Sequence, residues 1–234
     1  MSRVNYEIEN GGVLPDAIGM IVLQTDETLE PEFKSYFADH AASMYISRIP
    51  NQTSVTPDTL SEMEVALPTA AGLLPNARTY SVVGYGCTSA SAVIGSDKIE
   101  ELVRRNCNAK TVTNPLRAAI AFAHHHGLKR LALLSPYIEE VNEPLRQVFR
   151  DAGLTTDTFG TFCESDDAQV ARIAIQSVVE AAIELGRSEN VDGVFISCTN
   201  LRTLVTIPEV ERNLKKPVFS SNYALAWHME KLAS

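Results

Sequence analysis

Cysteine is scarce in this chain: four in 234 residues, Cys87, Cys107, Cys163 and Cys198, and none stands in a CxxC or CxxH spacing. Structural zinc needs such spacings, so no metal is expected, and a reducing cytosol disfavours disulfides. Free thiols are the expectation. Long apolar runs are also missing, with no stretch near the ~18 residues of a membrane-spanning helix. The amino-terminal "MSRVNYEIENGGVLPD" lacks the apolar core of a signal peptide. A cytoplasmic protein without a membrane partner is expected. Runs of Lys and Arg are absent too, and the formal net charge is -9. That balance argues against a nucleic-acid backbone or an anionic membrane surface as the main partner. A small molecule is the partner class that remains.

What the chain does have is enough apolar residue, 45%, to bury a sizeable core. Apolar runs of strand length alternate with amphipathic stretches of helix length. "AIGMIVL" (17–23) reads as a first buried strand, followed by a helix over 28–42. "SMYISRI", "TYSVVGYG", "AKTVT", "KRLALLSPY", "TTDTFGTF", "DGVFIS" and "KPVFSS" have strand character. "PDTLSEMEVALPTAAGLL", "PLRAAIAFAHHHG", "EPLRQVFRDAG", "AQVARIAIQSVVEAAIELG" and "ALAWHMEKLA" have helix character. Continuous apolar strands separated by helices predict parallel sheets covered on both faces, an α/β doubly wound architecture.

An internal repeat organises this alternation. An offset of 111 residues carries Cys87 onto Cys198 and Asp26 onto Tyr137, and "KTVTNPLRAAIAFA" resembles "KPVFSSNYALAWHM" at an offset of 106. Two similar α/β units related by pseudo-twofold symmetry are expected: residues 1–114 with 218–234 carrying Cys87, and residues 115–217 carrying Cys198. Open parallel sheets bind ligands at their strand C-termini. The active site should therefore lie in the crevice between the units, with the two thiols facing each other.

Both cysteines stand just past an apolar run, in "YGCTSAS" and "ISCTNLR". A thiol at a strand end, followed by residues that begin a helix, lies beside unpaired N–H groups and a positive dipole end, which favour thiolate. Thr88, Ser89, Thr199 and Asn200 add donors suited to a carboxylate. Two thiols on opposite faces of one carbon suffice for racemisation without a cofactor, one taking the α-proton and the other returning one. A thiolate could instead add to an activated double bond. Two thiolates in one crevice would repel, so one thiolate and one thiol with coupled titrations are expected at rest.

The segments "IGMIVLQTDETLEPEF", "GCTSASAVIG", "LLSPYIEEVNEPL", "GVFISCTNLRTL" and "KPVFSSNYALAWHM" resemble the aspartate/glutamate racemase superfamily, in its maleate cis-trans isomerase and arylmalonate decarboxylase branch. The likeness is greatest to maleate isomerase-like proteins named for ectoine utilisation. It covers nearly the whole chain and implies a cofactor-independent isomerase acting on a small carboxylate, the alternatives being a malonate-type decarboxylase and a binding protein without turnover. By the resemblance Cys87 and Cys198 are the catalytic pair, Tyr137, Thr88 and Ser89 help hold a carboxylate, and a homodimer is implied. Arylmalonate decarboxylases have glycine where this chain has Cys87, so the second thiol argues for chemistry on two faces.

The departures are informative. Maleate isomerases place asparagine where this chain has Asp26, and again where it has Asp167. Aspartate there repels a second carboxylate and attracts an ammonium group or a hydrogen-bond donor. A substrate with one carboxylate and an amino or amide group is expected, a diaminobutyrate derivative being one that fits. Asp26 has a second reading as a cap for the following helix. Cys107 and Cys163 read as structural. The triplet His124, His125 and His126 precedes Gly127, and consecutive helical side chains diverge by ~100°, so these imidazoles read as residues of a helix C-terminus. Trp227 and His228 read as packing residues of the last helix.

Overall fold

The computed structural model describes residues 1–8, 17–40 and 42–234. The polar amino-terminal stretch runs on through residues 9–16, which lie outside the described residues, as does residue 41 of the expected first helix. Two four-stranded parallel sheets form the frame. The first contains β1 (Ala17–Leu23), β2 (Ser43–Ile49), β3 (Tyr80–Gly86) and β4 (Ala109–Thr113); the second contains β5 (Leu131–Ser135), β6 (Phe159–Thr161), β7 (Gly193–Ile196) and β8 (Val218–Ser220). Their orders are β2-β1-β3-β4 and β6-β5-β7-β8, the same second-first-third-fourth pattern twice. The repeat read from the sequence is thus a repeat of topology, and the chain is the doubly wound α/β protein with two similar units that its alternation predicts.

Ten helices among the described residues link the strands: α1 (Leu29–Tyr36), α2 (Pro57–Gly72), α3 (Thr88–Ile94), α4 (Ser96–Arg104), α5 (Pro115–His125), α6 (Glu139–Asp151), α7 (Asp167–Val170), α8 (Ile175–Gly186), α9 (Ile207–Leu214) and α10 (Ser221–Ala233). Every residue of β1, β3, β5, β7 and β8 is buried, as parallel strands covered on two faces require. None of the helices is long and apolar enough to cross a membrane.

The elements differ from the periodicity reading in several places. α1 stops at Tyr36, because Phe37 turns out of the helix at φ -93° and ψ 16° and the chain must return to start β2 at Ser43. The expected helix over 168–186 is two, α7 and α8. They are separated where Ala174 adopts extended φ and ψ, so that α7 buries Val170 while α8 buries Val178, Val179 and Ala182. α4 and α9 are surface helices whose apolar stripes are short, Ile99, Leu102 and Val103 in one, Ile207 and Val210 in the other. The strand expected over 155–162 pairs regularly only at Phe159–Thr161.

The carboxy-terminal segment crosses between the units. Val218–Ser220 pairs with β7 in the second sheet, whereas α10 packs against α5 and β3 of the first. The chain thus returns to the first unit after β8, at Ser221. The sequence offset of 106 has a structural basis here: Asn114 and Ser220 occupy equivalent N-caps, accepting the N–H of Arg117 at 2.9 Å and of Tyr223 at 3.1 Å.

The three histidines at the end of α5 have different partners, although the His125 and His126 rings meet edge to face with centroids 5.1 Å apart. His124 Nε2 meets Ala152 O at 3.0 Å, His125 lies beside Lys231, and the His126 ring packs on Phe122 with centroids 4.2 Å apart. Gly127 follows at φ +67°, a left-handed turn residue past the helix end. Trp227 packs edge-on against Phe122, and His228 Nδ1 lies 2.9 Å from Thr113 Oγ1.

Candidate active site

Both cysteines of interest sit at the C-terminal end of the third strand of their sheet, Cys87 after β3 and Cys198 two residues after β7. Asp26 and Tyr137 follow the first strands, β1 and β5. Parallel strands place all four groups on one side of the sheets. Cys87, Ser89, Tyr137 and Asp167 line a single cavity with Asn51, Ser54, Thr59 and Met63. Cys198 joins it through Tyr137, whose Oη lies 3.0 Å from Cys198 Sγ.

The two thiols are held differently. Cys87 is the N-cap of α3 and its sulfur accepts the Ala90 N–H at 3.4 Å, as expected for a thiol at a helix start. Gly86 precedes it because a Cβ there would collide with Leu29 of α1. Cys198 starts no helix: α9 begins only at Ile207. It sits instead in a turn at φ +95°, a conformation disfavoured for a residue with a Cβ. Its sulfur accepts the Asn200 N–H at 3.2 Å, and its own N–H donates to Ser221 Oγ at 3.0 Å. Ser221 also accepts from Thr88 Oγ1 at 2.8 Å, so one hydroxyl at the start of α10 ties the two cysteine loops together.

Asp26 combines both roles read for it. Its Oδ1 accepts the N–H groups of Thr28 and Leu29, each at 2.8 Å, which anchors the start of α1. Its Oδ2 is buried without a hydrogen-bond partner. The Thr199 hydroxyl is close enough to favour the charged carboxylate but is directed at Gly86 O, 3.3 Å away. Asp167 accepts from Tyr137 Oη at 2.9 Å on Oδ1, and from Thr25 Oγ1 at 2.6 Å and Asn200 Nδ2 at 3.2 Å on Oδ2. Asn200 is further committed through its Oδ1 to the Glu27 N–H at 2.9 Å. Of the nine residues singled out from the sequence, then, Cys87, Ser89, Tyr137 and Asp167 line the cavity, with Cys198 and Asp26 beside them. Thr88 and Thr199 hydrogen-bond to neighbouring loops, and Asn200 bonds to such a loop, to Asp167 and to the Cys198 sulfur.

Burial governs the ionisation of the thiols. It pushes Cys87 up to about 12, against the Ala90 N–H that favours thiolate, and the Asp167 and Asp26 carboxylates add to the rise. Burial likewise raises Cys198 well above the ordinary thiol range, with Asp167 next in size, against the Tyr137 hydroxyl and the Asn200 N–H. The expectation of a resting thiolate therefore meets an opposing cause: buried beside two carboxylates, both sulfurs favour the protonated form. A positive group placed between the carboxylates and thiols would reverse that preference.

The crevice is closed by two loops that meet over it. Val55 N–H donates to Ser165 O at 2.9 Å, and Asp167 N–H to Thr53 O at 3.0 Å. The cavity beneath them has a volume of about 20 Å³, room for about one water molecule. Asn51, Thr25, Thr53 and Ser165 were not legible as site residues, because they act through loop-to-loop contacts; the Thr56 capping box, with Thr59 at its third position, marks only where α2 starts.

Asp26 also yields a stability test. Burial raises its pKa above the carboxylate's ordinary 3.8, so the folded chain holds this proton more tightly than the unfolded chain. The stability it contributes is fully present below the unfolded pKa and is lost as pH rises through the folded one. His126 and His228, lowered mainly by burial, act in the other direction, so the difference between two proteins is the informative quantity. Asp26→Asn removes the titration, and its melting temperature is expected to climb relative to the parent chain as pH rises from the carboxylate's ordinary 3.8 through the folded pKa. A difference that shrinks over that range in thermal melts would contradict the raised pKa.

Residues 18–234 match the arylmalonate decarboxylase family. The arylmalonate decarboxylase of Bordetella bronchiseptica is 33% identical over 123 residues, 52% of this chain and 48% of that enzyme, so this match spans about half the relative's length. A maleate isomerase of Pseudomonas putida is 24% identical over 230 residues, 92% of this chain and 90% of that one. The crystal structure of the maleate isomerase of Pseudomonas putida S16 has a TM-score of 0.83 at 23% identity, with 92% of each chain covered, a likeness of fold. With two thiols at equivalent strand ends of a repeated α/β unit and a family match over almost its whole length, the chain belongs to the arylmalonate decarboxylase family, in the maleate isomerase and arylmalonate decarboxylase branch of the aspartate/glutamate racemase superfamily.

Proposed function

We propose that this protein is a cofactor-independent isomerase or racemase in which Cys87 and Cys198 act as an acid/base pair on a small acid bearing one carboxylate and an amino or amide group. The observation that supports the reading is that two buried thiols, one from each unit, both lie near Tyr137, Asp26 and Asp167. One thiol suffices for protonation on one face, whereas inversion needs a group on each. Backbone N–H groups at each sulfur stabilise the thiolate when it forms.

The carboxylates support the substrate class. Asp26 Oδ2 is buried with no partner, and an ammonium or amide N–H would satisfy it. A cation there would also lower both thiol pKa values, so that the substrate itself prepares the base. A diaminobutyrate derivative, such as one arising in ectoine breakdown, is of this kind, and the setting proposed is a cytoplasmic homodimer. The proposed division follows the repeat, with Cys87 in the unit of residues 1–114 and 218–234 and Cys198 in that of 115–217, except that β8 pairs in the second sheet and the crossing falls at Ser221.

Incubation of chiral N-bearing acids in D2O with the purified protein tests the reading. Solvent deuterium at the α-carbon together with loss of optical activity is expected, and maleate should be turned over poorly unless Asp26 and Asp167 are both replaced by Asn. Neither exchange nor racemisation across such acids, or efficient conversion of maleate by the unaltered chain, would sink it. The likeness to the Bordetella decarboxylase favours a second reading, decarboxylation of a malonate-type acid. That activity would release carbon dioxide and survive Cys87→Ala but not Cys198→Ala.

A further inference from the structure

We infer that Asp167 is the proton acceptor for Cys198 and works through the Tyr137 hydroxyl, a relay of three side chains that arms one thiol of the pair selectively. The inference rests on the acid/base role proposed for Cys198. Tyr137 Oη carries a single proton and lies 2.9 Å from Asp167 Oδ1 and 3.0 Å from Cys198 Sγ. An ionised carboxylate only accepts. The tyrosine proton is therefore given to Asp167, and the Cys198 S–H points at Tyr137 Oη, which fixes the order S–H, O–H, carboxylate.

The surroundings hold that order in place. Asp167 Oδ2 is engaged by Thr25 Oγ1 and Asn200 Nδ2, which turns Oδ1 toward the tyrosine. The Tyr137 carbonyl is clamped by Asn142 Nδ2 at 2.7 Å and by the Thr161 hydroxyl, so the ring starts from a fixed backbone. The left-handed turn at Cys198 brings its sulfur to the same hydroxyl. Cys87, by contrast, is held by a backbone N–H of its own helix. The groups acting on Cys198 are Asp167 and Tyr137 from the second unit and Asp26 from the first, with Cys87 facing Tyr137.

The step is a double proton shift. The Cys198 S–H bond breaks as its proton bonds to Tyr137 Oη, and the tyrosine's original O–H bond breaks as that proton bonds to Asp167 Oδ1. The electron pair stays on sulfur. The products are a thiolate, a neutral tyrosine and a carboxylic acid, and one negative charge has moved from oxygen to sulfur with no change in total. Loss of the proton to water would instead add a second negative charge beside Asp167 in a buried site, which the low dielectric there disfavours. After the shift, the thiolate accepts from both Tyr137 Oη and the Asn200 N–H. Tyr137 is on this account a catalytic residue, touching the reacting sulfur, and Asp167 a positioning residue that acts through it.

The rate of Cys198 alkylation by iodoacetamide, followed by mass spectrometric mapping in the full chain, reads this directly because it needs no substrate. A thiolate formed by relay costs no proton to solvent, so the unaltered protein should label Cys198 at a rate nearly flat between about pH 6 and about pH 9. Asp167→Asn and Tyr137→Phe each cut the relay, and in both the rate should rise about tenfold per pH unit over that range. A purely structural role would change the rate but leave its pH slope alone. Equal slopes in all three proteins, a steep slope in the unaltered chain, or a change in only one variant would overturn the relay. Deuterium exchange with substrate is measured separately, so failure of the relay and failure of the isomerase reading are told apart.

Discussion

Replacing Cys87 by alanine is expected to abolish inversion of a chiral substrate by a factor of at least about 10³, while solvent deuterium still enters the enantiomer whose α-proton faces Cys198. The two halves of this result have separate causes. Cys198 keeps the Asn200 N–H and the Tyr137 hydroxyl, so it can still remove a proton and return a deuteron on its own face. Inversion fails because nothing remains on the opposite face to deliver a proton. Cys198→Ala should give the mirror image, inversion lost and exchange confined to the other enantiomer. Both changes remove a buried sulfur and leave the backbone bonds at the loop, Cys198 N–H to Ser221 Oγ among them, so folding should survive. Polarimetry and mass spectrometry on the same incubations give the two rates. Inversion retained within about tenfold of the parent rate in either variant would remove the two-thiol mechanism.

Glu32→Ala is expected to destabilise the fold by about 2–4 kcal/mol, lowering the melting temperature by roughly 10 °C for a chain of this size. Glu32 lies on α1 of the first unit, and its carboxylate bridges to the second. Oε1 accepts the Thr203 N–H at 2.6 Å and the Leu204 N–H at 2.8 Å, and Oε2 accepts Asn222 Nδ2 at 2.8 Å and Thr203 Oγ1 at 3.2 Å. Asn222 in turn donates to Thr199 O at 2.8 Å, beside Cys198. Truncation strands two backbone donors and an amide at the junction of the units. Part of that loss is recovered because Glu32 is half-buried and water can reach the vacated donors, which is why the figure stays below that of a fully buried ion. Glu32→Gln, which keeps one acceptor oxygen, should lose about half as much. A melting curve for Glu32→Ala within about 2 °C of the parent's would show that this bridge does not hold the units.

The alternation of apolar runs with amphipathic stretches determined the parallel α/β class, because a strand buried on two faces is mostly apolar and β1, β3, β5 and β7 are, Ser81 and Ser135 apart. The 111-residue offset likewise determined that Cys87 and Cys198 occupy equivalent strand ends, since a repeated sequence folds to a repeated topology. Both are local or periodic properties, readable without knowing what packs on what. The ends of α1, the break between α7 and α8 and the surface helices α4 and α9 were not, because each is set by where the chain must go next or by a short apolar stripe.

The site divides in the same way. Residue type and strand position picked out the thiols, the repeat set Tyr137 against Asp26, and the family resemblance pointed to Asp26 and Asp167. Only the tertiary structure decided that Thr88 and Thr199 spend their hydroxyls on neighbouring loops and that Asn200 divides its groups between such a loop, Asp167 and the Cys198 sulfur. It alone put the Tyr137 hydroxyl between Asp167 and Cys198, which are 31 residues apart in the chain, and set burial against the N–H groups at each sulfur. Hydrogen-bond partners and desolvation depend on the whole of a group's surroundings, and those surroundings come from segments that the sequence does not place side by side.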